Sequence, residues 1–151
     1  MMSPKFSLQN VLDVRHEKVE LLEIELGKLL MVQQETQNLL ASLEAYQAGL
    51  LEALSEAQTG DLDLVKLNLL FLNSLQVGRN IEAVTIELKK QAFAIEDKRA
   101  ELVRAKQSEE TLQILKRNRH EVYVAEQVQL EAQALDDIYI ARSFHNQRQG
   151  A

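Results

Sequence analysis

The sequence has no cysteine, no tryptophan and a single proline, Pro4, and each absence restricts what the chain can form. Without cysteine there is neither a disulfide nor a thiolate for metal binding or nucleophilic chemistry. The five glycines are spread thinly, so few positions can interrupt a helix. Aromatic residues make up 5% of the chain, which favours a narrow hydrophobic seam over a broad globular core.

Long apolar segments and an excess of positive charge are also missing. No segment approaches the roughly eighteen uninterrupted apolar residues of a membrane span, and no apolar stretch typical of a signal peptide follows the first residues. The net charge of −6, with acidic and basic residues interspersed, argues against nonspecific binding to nucleic acid, which requires a basic surface. We therefore expect a cytoplasmic protein that neither inserts into a membrane nor binds nucleic acid.

The residues that are present are typical of long helices. Alanine, leucine, glutamate, glutamine, lysine and arginine dominate the composition, and these are the strongest helix formers. Ten of fourteen early positions, spaced alternately by four and three residues, are apolar. A 3.5-residue repeat of this length predicts a partner helix that packs along it. This first seam consists of Leu8, Leu12, Arg15, Val19, Leu22, Leu26, Leu29, Gln33, Thr36, Leu40, Leu43, Gln47, Leu50 and Leu54.

One turn interrupts the helical pattern, at residues 59–61. Gly60 can adopt the left-handed conformation that ends a helix, Asp61 can cap the helix that follows, and Ser7 can cap the first helix. No other cluster of glycine, proline or asparagine occurs before the C-terminal residues. We therefore predict an all-α fold in which two long helices form an antiparallel coiled-coil hairpin. Residues 1–151 form a single domain with a helix at about 7–58, a helix at about 62–145 and flexible ends.

The second helix has a seam of its own and is the longer of the two. Folding back at Gly60 places Leu8 near Leu112, so about thirty later residues have no partner within the chain. Isolated helices are marginal in water, so we expect another protein to cover this segment. The alternative is a frayed, solvated helix. The second seam consists of Leu67, Leu70, Ser74, Val77, Ile81, Val84, Leu88, Gln91, Ile95, Lys98, Leu102, Ala105 and Leu112.

The segment just after the turn has more apolar residues than one seam uses. Leu64, Phe71 and Leu75 form a second stripe, and Leu69 and Leu72 widen it. A helix that is apolar around much of its circumference has to be covered on more than one side. Two explanations stay open, a homodimer formed through this tip and docking to a different protein.

No group of residues indicates catalysis. His16, His120 and His145 are far apart and have no metal-ligand spacing. His120 and Glu121 match the start of a zinc-protease helix, but Val124 stands where the second histidine would be. No glycine-rich phosphate loop is present, and a coiled coil has no concave pocket that would desolvate a carboxylate. We therefore expect neither an enzyme nor a cofactor or metal site.

Three groups of residues have a recognisable order and spacing. The chain opens with Phe6–Arg15, and Leu43, Tyr46, Leu50, Phe71, Leu75 and Gly78 flank the turn. It closes with Leu115-Lys116-Arg117, Tyr123, Glu126, Glu131, Leu135-Asp136-Asp137 and Arg142. Together these residues resemble the FliJ family of flagellar type III export proteins over nearly the whole chain, with the family's plan of a short helix followed by a long one.

The resemblance implies a cytoplasmic component of the export apparatus, peripheral to the inner membrane and similar to the central stalk of rotary ATPases. It implies that the paired helix ends enter the pore of a hexameric export ATPase and that the region near the turn contacts the membrane-embedded export gate. Export chaperones are a third class of partner left open. The implied gate contacts are Leu43, Tyr46, Leu50, Phe71 and Leu75. The implied ATPase contacts are Lys116, Arg117, Arg119, Tyr123, Glu126, Asp136, Asp137 and Arg142.

Other functions compete with this interpretation. The chain could be the equivalent stalk of a virulence-type injectisome, which the sequence hardly separates from the flagellar protein. It could also be a structural coiled-coil scaffold that forms a homodimer through the apolar tip. A subunit of a true rotary ATPase is disfavoured, because such subunits normally carry a globular insertion between their helices and the turn leaves no room for one.

Overall fold

Two α-helices account for almost all of the chain. The structure, a computed structural model, describes residues 6–149, with side chains as far as residue 148. Helix α1 spans Gln9–Ala57 and helix α2 spans Leu64–Gln149, and no strand occurs within the described range. The predicted all-α fold with a longer second helix is therefore confirmed.

The ends of the helices differ from the prediction by a few residues. The amide of Leu12 donates to the Leu8 carbonyl over 2.9 Å, and the amide of Gln9 donates to the Phe6 carbonyl over 3.0 Å. α1 therefore begins just after the predicted cap, Ser7, whose hydroxyl contacts α2 instead. α2 continues four residues past the predicted end at residue 145. The predicted flexible ends fall in part on residues 1–5 and 150–151, which lie outside the described residues.

The turn between the helices covers residues 58–63 and is longer than predicted. Gly60 has a φ of 88°, and it is the one residue of the described chain with positive φ, as expected for a left-handed helix end. The cap of α2 is Asp63, because its Oδ1 accepts the amides of Val65 at 3.1 Å and Lys66 at 3.3 Å. The prediction that Asp61 is the cap was wrong, since the chain makes one more bend before α2 begins.

Packing divides the chain into two units, and the prediction of a single domain stays a prediction. The first unit combines residues 1–18 with residues 105–151, and the second comprises Val19–Arg104. In the second unit the contacts Glu25–Lys98 and Thr36–Gln91 run in opposite directions along the two helices, so the helices are antiparallel. In the first unit, Ser7–Arg119 and Arg15–Ser108 show the same antiparallel order.

The two seams are the buried faces of the helices. Every predicted position of the first and second seams is buried or half-buried, which confirms the 3.5-residue pattern. The most buried apolar side chains are Leu12 and Leu112 in the first unit and Val19, Leu22, Leu50, Val77 and Ile95 in the second. Burial of one such side chain stabilises the fold by about 1.5–3 kcal/mol, so the narrow seam carries most of the packing energy.

Polar side chains interrupt the seam of the second unit and fix the axial position of its helices. Gln91 Nε2 donates to Thr36 Oγ1 over 3.0 Å, and this hydroxyl donates to the Val32 carbonyl over 2.9 Å. Further along, Lys98 Nζ lies 2.8 Å from Glu25 and 3.5 Å from Glu101. The hydrogen bond that Lys98 donates to Glu25 raises the pKa of Lys98, with a further contribution from Glu101, while desolvation of the ammonium opposes the shift.

Candidate protein-binding surfaces

The residues that flank the turn divide into a packed group and an exposed group. Leu50 is only 7% exposed and Leu43 is half-buried, because both lie in the first seam. Tyr46, Phe71 and Leu75 are 52%, 53% and 46% exposed. Leu50 therefore helps to hold the two helices together, and the prediction that a partner contacts it stays a prediction.

The three exposed residues do not share one face. Tyr46 precedes the seam residue Gln47, whereas Phe71 follows the seam residue Leu70. In an antiparallel pair, a residue before the seam in one helix and a residue after the seam in the other flank opposite sides of the interface. Phe71 and Leu75 are one turn apart on the same side of α2, so Tyr46 belongs to a separate surface.

A large exposed apolar cluster surrounds the turn in the second unit. Its members are between 46% and 72% exposed, which is unusual for side chains of this size in one region. We call it the tip cluster, and it consists of Leu51, Leu62, Leu64, Val65, Leu69, Phe71, Leu72 and Leu75. The sequence predicts this excess after the turn, and the structure shows that α1 leaves these side chains uncovered.

A regular row of apolar residues on the outer face of α2 was not predicted from the sequence. Val65, Leu72, Ile86 and Phe93 are each at least half exposed and are separated by seven or fourteen residues. The row lies two residues before the seam positions, on the face of α2 that points away from α1. The same seven-residue spacing is visible in the sequence, but only when it is counted from a position outside the seam.

In the first unit, polar contacts bind the start of α1 to α2. Arg15 Nη1 donates to the Ser108 carbonyl over 2.8 Å, and His16 Nδ1 lies 2.7 Å from Glu109 Oε1. Gln113 Nε2 also donates to Glu109 Oε1, over 3.2 Å. Glu109 is 9% exposed, and its hydrogen bonds compensate for burying a carboxylate. It occupies the seam step between Ala105 and Leu112, so its position was predictable from spacing.

Arg119 contacts the segment that precedes α1. Its Nη1 donates to Ser7 Oγ over 2.8 Å, and its guanidinium lies 5.5 Å from the centre of the Phe6 ring. Phe6 and Ser7 therefore lie opposite Arg119. Arg119 is accordingly engaged within the chain, and the part of α2 without intrachain cover begins later than expected.

The final part of α2 is exposed on all sides. Every side chain from residue 128 to residue 148 is exposed, and we call this segment the overhang. Of the predicted ATPase contacts, Asp136, Asp137 and Arg142 lie in it. The others precede it, where Lys116, Arg117 and Glu126 are exposed and Tyr123 is half-buried. The overhang also exposes large apolar side chains, namely Val128, Leu130, Leu135, Ile138, Tyr139, Ile140 and Phe144.

Neither a metal site nor a membrane segment is found in the described chain. Among residues 6–149, no three His, Asp or Glu side chains are grouped closely enough to hold a metal ion. Within the same range, no helix is both long and apolar enough to cross a membrane.

Comparison with known proteins finds one matching family. A family model described as flagellar FliJ protein matches residues 4–149, which is nearly the whole chain. No curated protein and no solved structure matches the sequence.

Proposed function

Because the chain belongs to the flagellar FliJ protein family, it is a component of the flagellar type III export apparatus, and we propose that it is a stalk linking two partners. One partner is the hexameric export ATPase, and the other is the membrane-embedded export gate. In this role the protein is cytoplasmic, peripheral to the inner membrane, and binds without catalysing a reaction. The family assignment favours the flagellar apparatus over a virulence-type injectisome.

The overhang supports the ATPase contact. A helix exposed on all sides with large apolar side chains is stable only when something covers it. The pore of a ring surrounds a helix completely, so it covers every face without requiring a second helix. The overhang also carries both charge signs, including Glu131, Asp136 and Arg142, which suits a polar pore lining. The exposed residues Lys116, Arg117 and Glu126, with half-buried Tyr123, extend the proposed contact towards the first unit's packed region.

The tip cluster supports the gate contact. Leu64, Phe71 and Leu75 share one side of α2 and are all exposed, which is the arrangement of a docking surface for an apolar partner groove. Tyr46 lies on the opposite side of the hairpin, so it would contact the gate only if the gate bound both sides. Leu43 and Leu50 support the contact indirectly, because they hold the two helices together beneath it.

Removing the overhang tests the ATPase contact. A variant truncated after Gln127 keeps both seams and the Ser7–Arg119 contact, so we expect it to fold with an almost unchanged melting temperature. Its binding to the purified export ATPase, measured by isothermal titration calorimetry, should be lost. As a matched control, Phe71→Glu changes the tip cluster only and should bind the ATPase like the unaltered protein. Full ATPase binding by the truncated variant would contradict the proposal.

A homodimer formed through the tip cluster is the second candidate, favoured by the area of exposed apolar surface near the turn. Sedimentation equilibrium distinguishes the two. A homodimer would appear as a concentration-dependent dimer that Phe71→Glu converts to a monomer, whereas an export stalk is a monomer with or without this substitution. Binding of export chaperones stays a prediction from the family resemblance.

A further inference from the structure

Of the three glycines inside the helices of the second unit, Gly27 lies alone in α1, whereas Gly49 in α1 and Gly78 in α2 form a pair nearer the turn. Glycine inside a helix lowers stability by about 1 kcal/mol relative to alanine, because it loses the most backbone entropy on folding. We therefore expect each glycine to be present because of a special backbone conformation, a close neighbour or a mechanical role.

Neither a special backbone conformation nor a close neighbour explains why glycine occupies these two positions. Of the glycines in the described chain, only Gly60 has positive φ, so Gly49 and Gly78 adopt conformations open to any residue. A Cβ added at Gly49 would meet no atom within 4 Å. A Cβ added at Gly78 would meet Gln47 Nε2 at 3.8 Å, which is an ordinary van der Waals distance. Alanine would fit at both positions.

The two glycines lie at the same level of the hairpin. The approach of Gln47 to Gly78 shows which part of α1 lies beside Gly78, and Gly49 is two residues further along α1. Two residues correspond to about 3 Å along a helix axis. A pair of packed helices bends easily only at a position along its axis where both helices are flexible. Gly49 and Gly78 provide such a position.

The packing around Gly49 and Gly78 permits the helix pair to bend but opposes separation of the two helices. The seam positions Gln47 and Ser74 are polar and only half-buried, so they add little apolar packing that would resist a bend. Next to them, Leu50 and Val77 are 7% and 6% exposed and keep the helices in contact. The expected motion is therefore a bend of the helix pair as a whole.

We propose that Gly49 and Gly78 form a flexible joint at which the tip, residues 50–77, bends relative to the rest of the second unit. The tip carries the whole tip cluster, so the joint would let this apolar surface adjust its angle to the partner that it contacts. The inference depends on the paired glycines alone and does not require the partner to be the export gate.

Distance measurements between spin labels test the joint. Because the chain lacks cysteine, labels can be attached through Lys66→Cys and Lys90→Cys, which lie twelve residues on either side of Gly78. A control pair, Glu82→Cys and Arg104→Cys, spans a glycine-free part of the same helix and the same unit. All four side chains are exposed, so the labels should not disturb the seam. Double electron–electron resonance then reports the width of each distance distribution.

We expect the pair across Gly78 to give a broader distribution than the control pair. The double variant Gly49→Ala/Gly78→Ala should narrow it to the control width, while melting at a higher temperature. Gly27→Ala serves as the matched glycine control, because a Cβ there also meets no atom within 4 Å, and it should leave the width unchanged. Equal widths in the unaltered protein, or a broad distribution that survives the double substitution, would overturn the proposal.

Discussion

At the scale of single residues, the Thr36–Gln91 pair lowers the stability of the protein but fixes the alignment of its two helices. Gln91 Nε2 is bonded to Thr36, but the Oε1 of the same side chain is buried without a hydrogen-bond partner. A buried unsatisfied oxygen costs about 1–3 kcal/mol. The apolar repeat alone would permit the helices to slide by one heptad, whereas the Thr36–Gln91 bond forms in one register only.

The substitution Gln91→Leu should therefore stabilise the protein. Removing the unsatisfied oxygen and burying an apolar side chain raises the free energy of unfolding by about 1 kcal/mol, measured by urea denaturation. Thr36 keeps its own bond to the Val32 carbonyl, so no new group is left unpaired. The exposed residue Gln37 gives the control, since Gln37→Leu should change stability by less than about 0.5 kcal/mol. A destabilised Gln91→Leu protein would show that the hydrogen bond outweighs the buried oxygen.

The Lys98–Glu25 ion pair predicts a dependence of stability on alkaline pH. Because the pKa of Lys98 is raised above its ordinary value of 10.5, the folded state holds this proton more tightly than the unfolded state. The stabilisation is therefore complete below the pKa of the unfolded lysine and is lost as the pH rises through the higher folded value. The urea midpoint of the unaltered protein should fall more steeply above about pH 10 than that of Glu25→Gln. If the urea midpoints of the two proteins fell equally with rising pH, the Lys98–Glu25 ion pair would not contribute to this pH dependence.

At the scale of the helices, the start of α2 depends on one side chain. Asp63 accepts two amides of the first turn, whereas Asp61 makes no such capping bond in the described turn. Asp63→Ala should lower the free energy of unfolding by about 1 kcal/mol, and Asp63→Asn should retain most of the stability, because asparagine is an equally good cap. Asp61→Ala is the matched control and should have little effect. Chemical denaturation measures both effects. A larger loss of stability for Asp61→Ala than for Asp63→Ala would identify Asp61 as the cap in solution.

The helices and their buried faces could be predicted from the sequence, but their exact alignment could not. The 3.5-residue repeat identifies every seam position from Leu8 to Leu54, because burial alone determines that pattern. The cap could not be chosen, since Asp61 and Asp63 are equally good caps two residues apart. The extra bend of the turn also places the start of α2 at Leu64, two residues beyond the predicted start at residue 62.

At the scale of the whole molecule, the exposed apolar surfaces belong to different packing units. The tip cluster lies in the second unit, and the overhang lies in the first. Both surfaces are stretches of exposed helix, and the proposed function assigns each of them to a different partner. Membership of the flagellar FliJ protein family gives these surfaces their context in protein export.

The surfaces themselves were only partly predictable. Excess apolar residues after the turn indicated the tip cluster, because one seam cannot bury them all. The resemblance could not indicate that Leu50 is buried in the seam or that Arg119 contacts Ser7, because it does not report the surroundings of a side chain. The outer row of Val65, Leu72, Ile86 and Phe93 went unnoticed because the seam uses the same seven-residue period.

In the proposed function, one molecule of this protein links the export ATPase to the export gate. Mass photometry of the purified ATPase, the soluble domain of the gate and this protein tests it directly. We predict a ternary complex that forms only when this protein is present. Phe71→Glu should lose the gate domain alone, and truncation after Gln127 should lose the ATPase alone. Failure to form the ternary complex, or displacement of one partner by the other, would contradict the account.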